Sequence, residues 1–251
     1  MGVYRGYGRQ MKLGSMKTLA ALAALAAVAA IAPAAASARP GVEAVVRTIH
    51  GPAAMTSASL NVLTLNDFRG IDNRISVFTG PTGRLTLTAP EGLGDPDGSG
   101  SACALDNAKP GESTAPQVSC APGYIGAIVG DLGRGSDTFD ADPGLPVMIG
   151  ALIDGQPRPL EGGPGRDRLV GGAMADLLEG DGGADSLAGG GGQDRMIGGP
   201  GADNLSGGGA ADWLVGGGGP DKLSGGGGKD LCKGGGGSDA AKSCETSRGI
   251  P

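Results

Sequence analysis

The sequence predicts an all-β protein, a carboxy-terminal parallel β-roll preceded by a small disulfide-stapled β-rich region. Three observations carry this. A nine-residue pattern runs from Gly162 to Lys242 without an inserted or deleted residue, 53 of the 251 residues are glycine, and only seven are aromatic. A chain so poor in large side chains cannot fill a broad core. A coil of short stacked strands needs little more than one inward side chain per strand.

The first 38 residues carry Arg5, Arg9, Lys12 and Lys17 and no acid, then an apolar run from Leu19 to Ile31, then Ala36-Ser37-Ala38. This order is that of a secretory signal cut after Ala38, and the apolar run is too short for a stable membrane span. Met11 and Met16 are alternative starts. Cleavage removes four of the 20 basic residues and none of the 26 acids, leaving a formal charge near −10 and no membrane span in the mature form. Such a chain is expected outside the cell, with cations rather than nucleic acid as partners.

Residues 39–60 mix Pro, Gly, Ala and Ser and read as a linker. In the β-rich region, 61–161, the runs Asn61–Leu65, Arg74–Phe78, Arg84–Thr88 and Ile125–Val129 are bounded by turn residues and read as strands of a small antiparallel sheet. Phe78-Thr-Gly-Pro-Thr-Gly83 suits a hairpin loop between two of them. Residues 90–122 are rich in breakers and read as a long stapled loop. Four cysteines in an exported chain favour disulfides, and their clustering favours Cys103 with Cys120 and Cys232 with Cys244 among the three possible pairings. Neither pair has the C-x-x-C spacing of a zinc knuckle.

In the array, 162–242, the sixth position of each of nine units is aspartate: Asp167, Asp176, Asp185, Asp194, Asp203, Asp212, Asp221, Asp230 and Asp239. The eighth is apolar throughout: Leu169, Leu178, Leu187, Met196, Leu205, Leu214, Leu223, Cys232 and Ala241. The glycine-rich half of a unit can adopt the positive φ of a tight reversal and leaves its carbonyls open, while the other half reads as a three-residue strand with one inward side chain. One turn and one strand reverse the chain once, so two units close a coil of 18 residues. Aspartates 18 apart then stack in columns of five and four, about 4.8 Å between neighbours. Carboxylates that close repel by about 3 kcal/mol per pair at an effective dielectric of 20. Carboxylate and carbonyl oxygens without nitrogen or thiolate are the ligand set of Ca²⁺, with up to four ions on one edge and three on the other. One leucine-sized contact per unit contributes about 1.5 to 3 kcal/mol, less than the cost of ordering nine residues, so the array is expected to be largely disordered without calcium.

These units resemble the RTX (repeat-in-toxin) nonapeptide G-G-x-G-x-D-x-U-x of exported bacterial proteins. The resemblance implies a parallel β-roll in which the aspartate carboxylates and turn carbonyls hold calcium. A further unit out of phase, Leu132–Asp140, places Asp137 at the ligand position. Met174 and Ala210 at fourth positions and Asp181 at a second position depart from glycine and should strain their turns. The last unit offers only Ala241 to the core, and with residues 243–251 reads as a cap pinned by Cys232 and Cys244.

Asp95–Asp106 has the oxygen spacing of an EF-hand loop but lacks flanking helices, and reads as an acidic stapled loop. Asn204-Leu-Ser206 matches a glycosylation acceptor within a repeat strand, and Trp213 sits at an outward position. One histidine, His50, excludes H-E-x-x-H chemistry, no serine lies in G-x-S-x-G, and Asp140 with Asp142 is a poor glycosidase pair in so small a region. The sequence therefore reads as a non-enzymatic, secreted calcium-binding protein. A calcium-stiffened adhesin with an unidentified surface partner, and a small hydrolase with a repeat tail, are the alternatives.

Overall fold

Alternating burial marks a strand with one inward face. The computed structural model shows such strands in every nonapeptide from Gly171 onward, and shows most of them longer than three residues. In Arg195–Pro200, Met196 and Gly198 point inward while Arg195 and Ile197 point out. The strand thus runs into the next unit, and the first glycine of that unit is a second inward position. The structure describes residues 43–49, 60–66, 72–89, 103–106, 117–153 and 156–249. The leader, His50 and residues 95–102 of the EF-hand-like loop lie outside them, and the described residues belong to one compact unit.

Two sheets face each other across the core. The first contains β1 (Glu43–Ile49), β2 (Leu60–Asn66), β7 (Ile125–Asp131), β12 (Leu160–Gly165), β14 (Leu177–Gly183), β16 (Arg195–Pro200), β18 (Trp213–Gly218), β20 (Leu231–Gly236) and β22 (Thr246–Arg248) in that spatial order, with β9 (Met148–Ile149) also against β7. The second runs β21 (Ala240–Lys242), β19 (Lys222–Gly227), β17 (Asn204–Gly209), β15 (Ser186–Gly190), β13 (Arg168–Val170), β8 (Thr138–Ala141), β3 (Arg74–Thr79), β4 (Leu85–Thr88), β6 (Gln117–Cys120) and β5 (Cys103–Asp106). A small hairpin, β10 (Ala151–Ile153) with β11 (Gln156–Arg158), stands apart. Through the array the pairing is parallel and offset by 18 residues, Met196 beside Leu214 and Leu214 beside Cys232 in one sheet, Leu187 beside Leu205 and Leu205 beside Leu223 in the other. The all-β parallel solenoid expected from the repeat is the observed fold.

The amino-terminal region differs from the expected separate antiparallel sheet. Asn61–Leu65 and Ile125–Val129 lie parallel in the first sheet, while Arg74–Phe78 joins the second, antiparallel to β4 but parallel to β8. The solenoid therefore begins well before Gly162. Asp137 stands to Asp167 as Asp167 stands to Asp185, at an interval of 30 residues rather than 18. The extra residues form the excursion holding β9 to β11, and a longer excursion holds β4 to β6. A fixed sequence period cannot register coils whose turns are replaced by insertions.

Two further expectations are corrected. The stretch read as a linker contains β1, antiparallel to β2 with Val45 opposite Thr64. The stretch read as a stapled loop contributes β5 and β6, where Cys103 and Cys120 are directly opposed and bonded with Cα atoms 3.9 Å apart. The hairpin at residues 80–83 closes by bonds from Gly83 N–H to the Gly80 carbonyl and from Gly80 N–H to the Arg84 carbonyl. One buried apolar cluster then runs from Leu63 and Phe139 through Leu160, Leu178 and Met196 to Cys232.

Candidate metal centre

Each repeat aspartate sits between two inward positions, so its side chain is drawn in at the edge where the sheets meet. All nine are buried, Asp167 and Asp221 at 1% exposure and Asp239, the most open, at 6%. One oxygen of each carboxylate is accounted for. The backbone N–H of Asp167 donates to Asp185 Oδ1 at 2.8 Å, Asp185 to Asp203 at 2.9 Å, Asp203 to Asp221 at 2.9 Å and Asp221 to Asp239 at 3.0 Å. The other edge repeats this, Asp176 to Asp194, Asp194 to Asp212 and Asp212 to Asp230 at 2.8 to 2.9 Å. The two columns expected from sequence are therefore present, and each is laced by one carboxylate bond per coil.

The second oxygen, Oδ2, has no hydrogen-bond donor in eight of the nine aspartates, and at Asp176 it accepts from Gly172 N–H at 2.7 Å. A buried carboxylate oxygen without a donor costs about 1 to 3 kcal/mol or more. The space beside it is held open by the first glycine of the unit. A Cβ at Gly180 would stand 2.6 Å from Asp185 Oδ2 and 2.7 Å from the Gly198 carbonyl oxygen of the next coil, and one at Gly216 would stand 2.7 Å from the Gly234 carbonyl. At seven of the nine units the first glycine therefore leaves a small cradle lined by one carboxylate oxygen and a carbonyl of the next coil, while at Gly162 and Gly189 the nearest atoms are those of the aspartate. Among the described residues no three acids, cysteines or histidines converge, so any cation held here depends on backbone carbonyls for much of its shell. That donor set fits Ca²⁺ and excludes a thiolate or imidazole metal.

Burial is the main electrostatic fact of the site. It pushes Asp167 and Asp194 up to about 7 and Asp176 and Asp203 up to about 6, against the partial relief of the backbone bonds they accept. Neighbouring carboxylates raise Asp167, Asp194 and Asp203 further, but less than burial does. Mutual repulsion, expected from the stacking alone, is the smaller effect because each backbone N–H stands between successive carboxylates.

Both columns are longer than the nine regular units. Asn73 N–H donates to Asp137 Oδ1 at 2.7 Å and Asp137 N–H to Asp167 Oδ1 at 2.7 Å, so the out-of-phase unit is a coil of the same edge. At the other end Asp230 N–H donates to Glu245 Oε2 at 2.6 Å, and β22 pairs with β20. Glu245 carried no sequence signal, because it stands 15 residues from Asp230 rather than 18 and is not aspartate. Its longer side chain reaches the position from a turn shortened by three residues. Cys232, fully buried, is bonded to Cys244 and fastens this last turn. Asp140, considered as a catalytic acid, is instead paired with Arg168 at 3.2 Å.

Stacked coils with an aspartate, a first-position glycine and an inward apolar residue at fixed intervals define a parallel β-solenoid whose edges fit a calcium-binding β-roll. The family model of the RTX calcium-binding nonapeptide repeat, four copies long, matches residues 161–196, 170–205 and 206–240, about a third of the chain. The array is thus an RTX repeat array. No curated protein and no solved structure matches the chain.

Proposed function

We propose that this is an exported calcium-binding protein whose solenoid folds around Ca²⁺ held by the carboxylates of Asp167, Asp176, Asp185, Asp194, Asp203, Asp212, Asp221, Asp230 and Asp239 together with turn carbonyls. The observation that carries the reading is the recurrence of one buried, donorless carboxylate oxygen beside one glycine cradle, coil after coil. When bound, calcium supplies the positive charge those oxygens lack. The chain's own residues supply the spacing, the carbonyls and the exclusion of water. The charged leader, two disulfides and RTX repeats support an extracellular setting, where calcium modules bind at about 0.1 to 1 mM. No helix among the described residues is long and apolar enough to cross a membrane.

Calorimetric titration tests this. Asp137 and Glu245 extend the columns to five intervals on one edge and four on the other. The expected stoichiometry is therefore about seven to nine ions per chain. One or two ions, or none, would overturn the reading.

A further inference from the structure

The outer face of the first sheet is graded in charge along the solenoid. Residues in its outer row stand side by side in register, Asp131 with Glu161, Glu161 with Glu179, Glu179 with Ile197, Ile197 with Val215, Val215 with Lys233 and Lys233 with Arg248. Acids occupy one end, apolar side chains the middle and bases the other end. A second outward row reads Leu177, Arg195, Trp213 and Leu231. Trp213 is 40% exposed, with the Arg195 guanidinium 3.9 Å from its ring centre. The corresponding outer row of the other sheet, Asp140, Val170, Ala188, Ser206, Ser224 and Lys242, carries only one charge at each end, and Asp140 is already paired with Arg168.

Three acids in register destabilise their own sheet unless something opposite compensates. Arg158 near Glu161 and Arg195 near Glu179 offset part of that repulsion, while the bases of the same row, Lys233 and Arg248, lie about three or more strand spacings away. A second copy running the other way brings acids and bases together. A copy running the same way would set acids on acids.

We propose that this face is a self-association surface, covered by the same face of a second copy with its solenoid axis antiparallel. A two-fold axis along the strands, between β16 and β18, sets Ile197 against the partner's Val215, Glu179 against the partner's Lys233 and Glu161 against the partner's Arg248. Each of these pairs stands at equal distance on either side of the axis, which is the self-complementarity an isologous interface requires. The same operation sets Leu177 against the partner's Leu231 and Arg195 against the partner's Trp213. A strip two residues wide is narrower than a standard interface of roughly 800 Å² per partner, so the dimer is weak and weakened further by salt.

Sedimentation equilibrium of the protein in about 5 mM calcium tests it. Circular dichroism first confirms that each variant is folded. Wild-type protein is expected to dimerise, with a dissociation constant that rises in about 0.5 M salt. Glu179→Lys and Lys233→Glu should each raise the constant by about tenfold or more, since each places like charges together twice in the dimer. The two single variants mixed together, and the double variant alone, should return to within about threefold of wild type. A monomer at every concentration, which would leave the face to some other partner, overturns the proposal. So does a dimer indifferent to both substitutions, or a mixture that fails to restore association.

Discussion

An aspartate side chain drawn into an interior of glycine and leucine keeps its charge only at the expense of its hydration, and the raised values of Asp167, Asp176, Asp194 and Asp203 record that. With folded values of about 6 to 7 against about 3.9 unfolded, the calcium-free fold binds more protons than the unfolded chain between those limits. Its carboxylates therefore favour folding in acid and lose that contribution as pH rises through 6 to 7. In chelator, β signal in circular dichroism should be greater at about pH 5.5 than at pH 8. In calcium the order should reverse, since protons compete for the same oxygens; a chelator signal flat across this range would refute the assignment. Backbone strain is also a residue-scale matter. Ala210 has φ +72° at a position where most units have glycine, and a left-handed alanine costs about 1 to 2 kcal/mol. Ala210→Gly should stabilise the calcium-loaded protein by about 0.5 to 1 kcal/mol after the extra entropy of unfolded glycine, measurable as a higher Tm.

At the scale of the strand and turn, the glycines are not interchangeable. A Cβ at Gly198 meets Asp203 Oδ2 and stands 2.6 Å from the Gly216 carbonyl, whereas one at Gly218 or Gly236 meets nothing within 4 Å. Gly198→Ala should lower apparent calcium affinity about tenfold or more, as expected for loss of charge-assisted ligands, while Gly218→Ala should leave it within about twofold. Equal effects from both, in calorimetric titration, would show that the cradle has no role. This distinction was only half legible in the sequence. The period, the inward eighth position and the aspartate columns follow from spacing alone, because an uninterrupted repeat forces register. That the first glycine is a second inward position follows only from the strand's extending past the unit boundary. Glu245 escaped because a turn shortened by three residues broke the spacing that revealed the aspartates.

On the scale of the molecule, the amino-terminal region and the array share one apolar cluster and one aspartate edge. The excursions holding β4 to β6 and β9 to β11 hid this from the sequence, which suggested two separate units. The consequence is cooperative. Loss of calcium in the array removes the surface on which β7, β8 and their neighbours rest, so Asp203→Ala should lower the melting temperature of both regions rather than of the array alone. The last turn depends on Cys232–Cys244, and Cys244→Ser should destabilise it by about 2 to 4 kcal/mol. Hydrogen exchange would show that loss as faster opening of β20 to β22 than of the central coils. The central claim, that calcium is part of the fold, is tested most directly by far-ultraviolet circular dichroism during calcium titration from chelator. The account predicts little β signal in chelator and a steep cooperative rise over about 0.1 to 1 mM calcium. A β signal already complete in chelator and unchanged by calcium would contradict it.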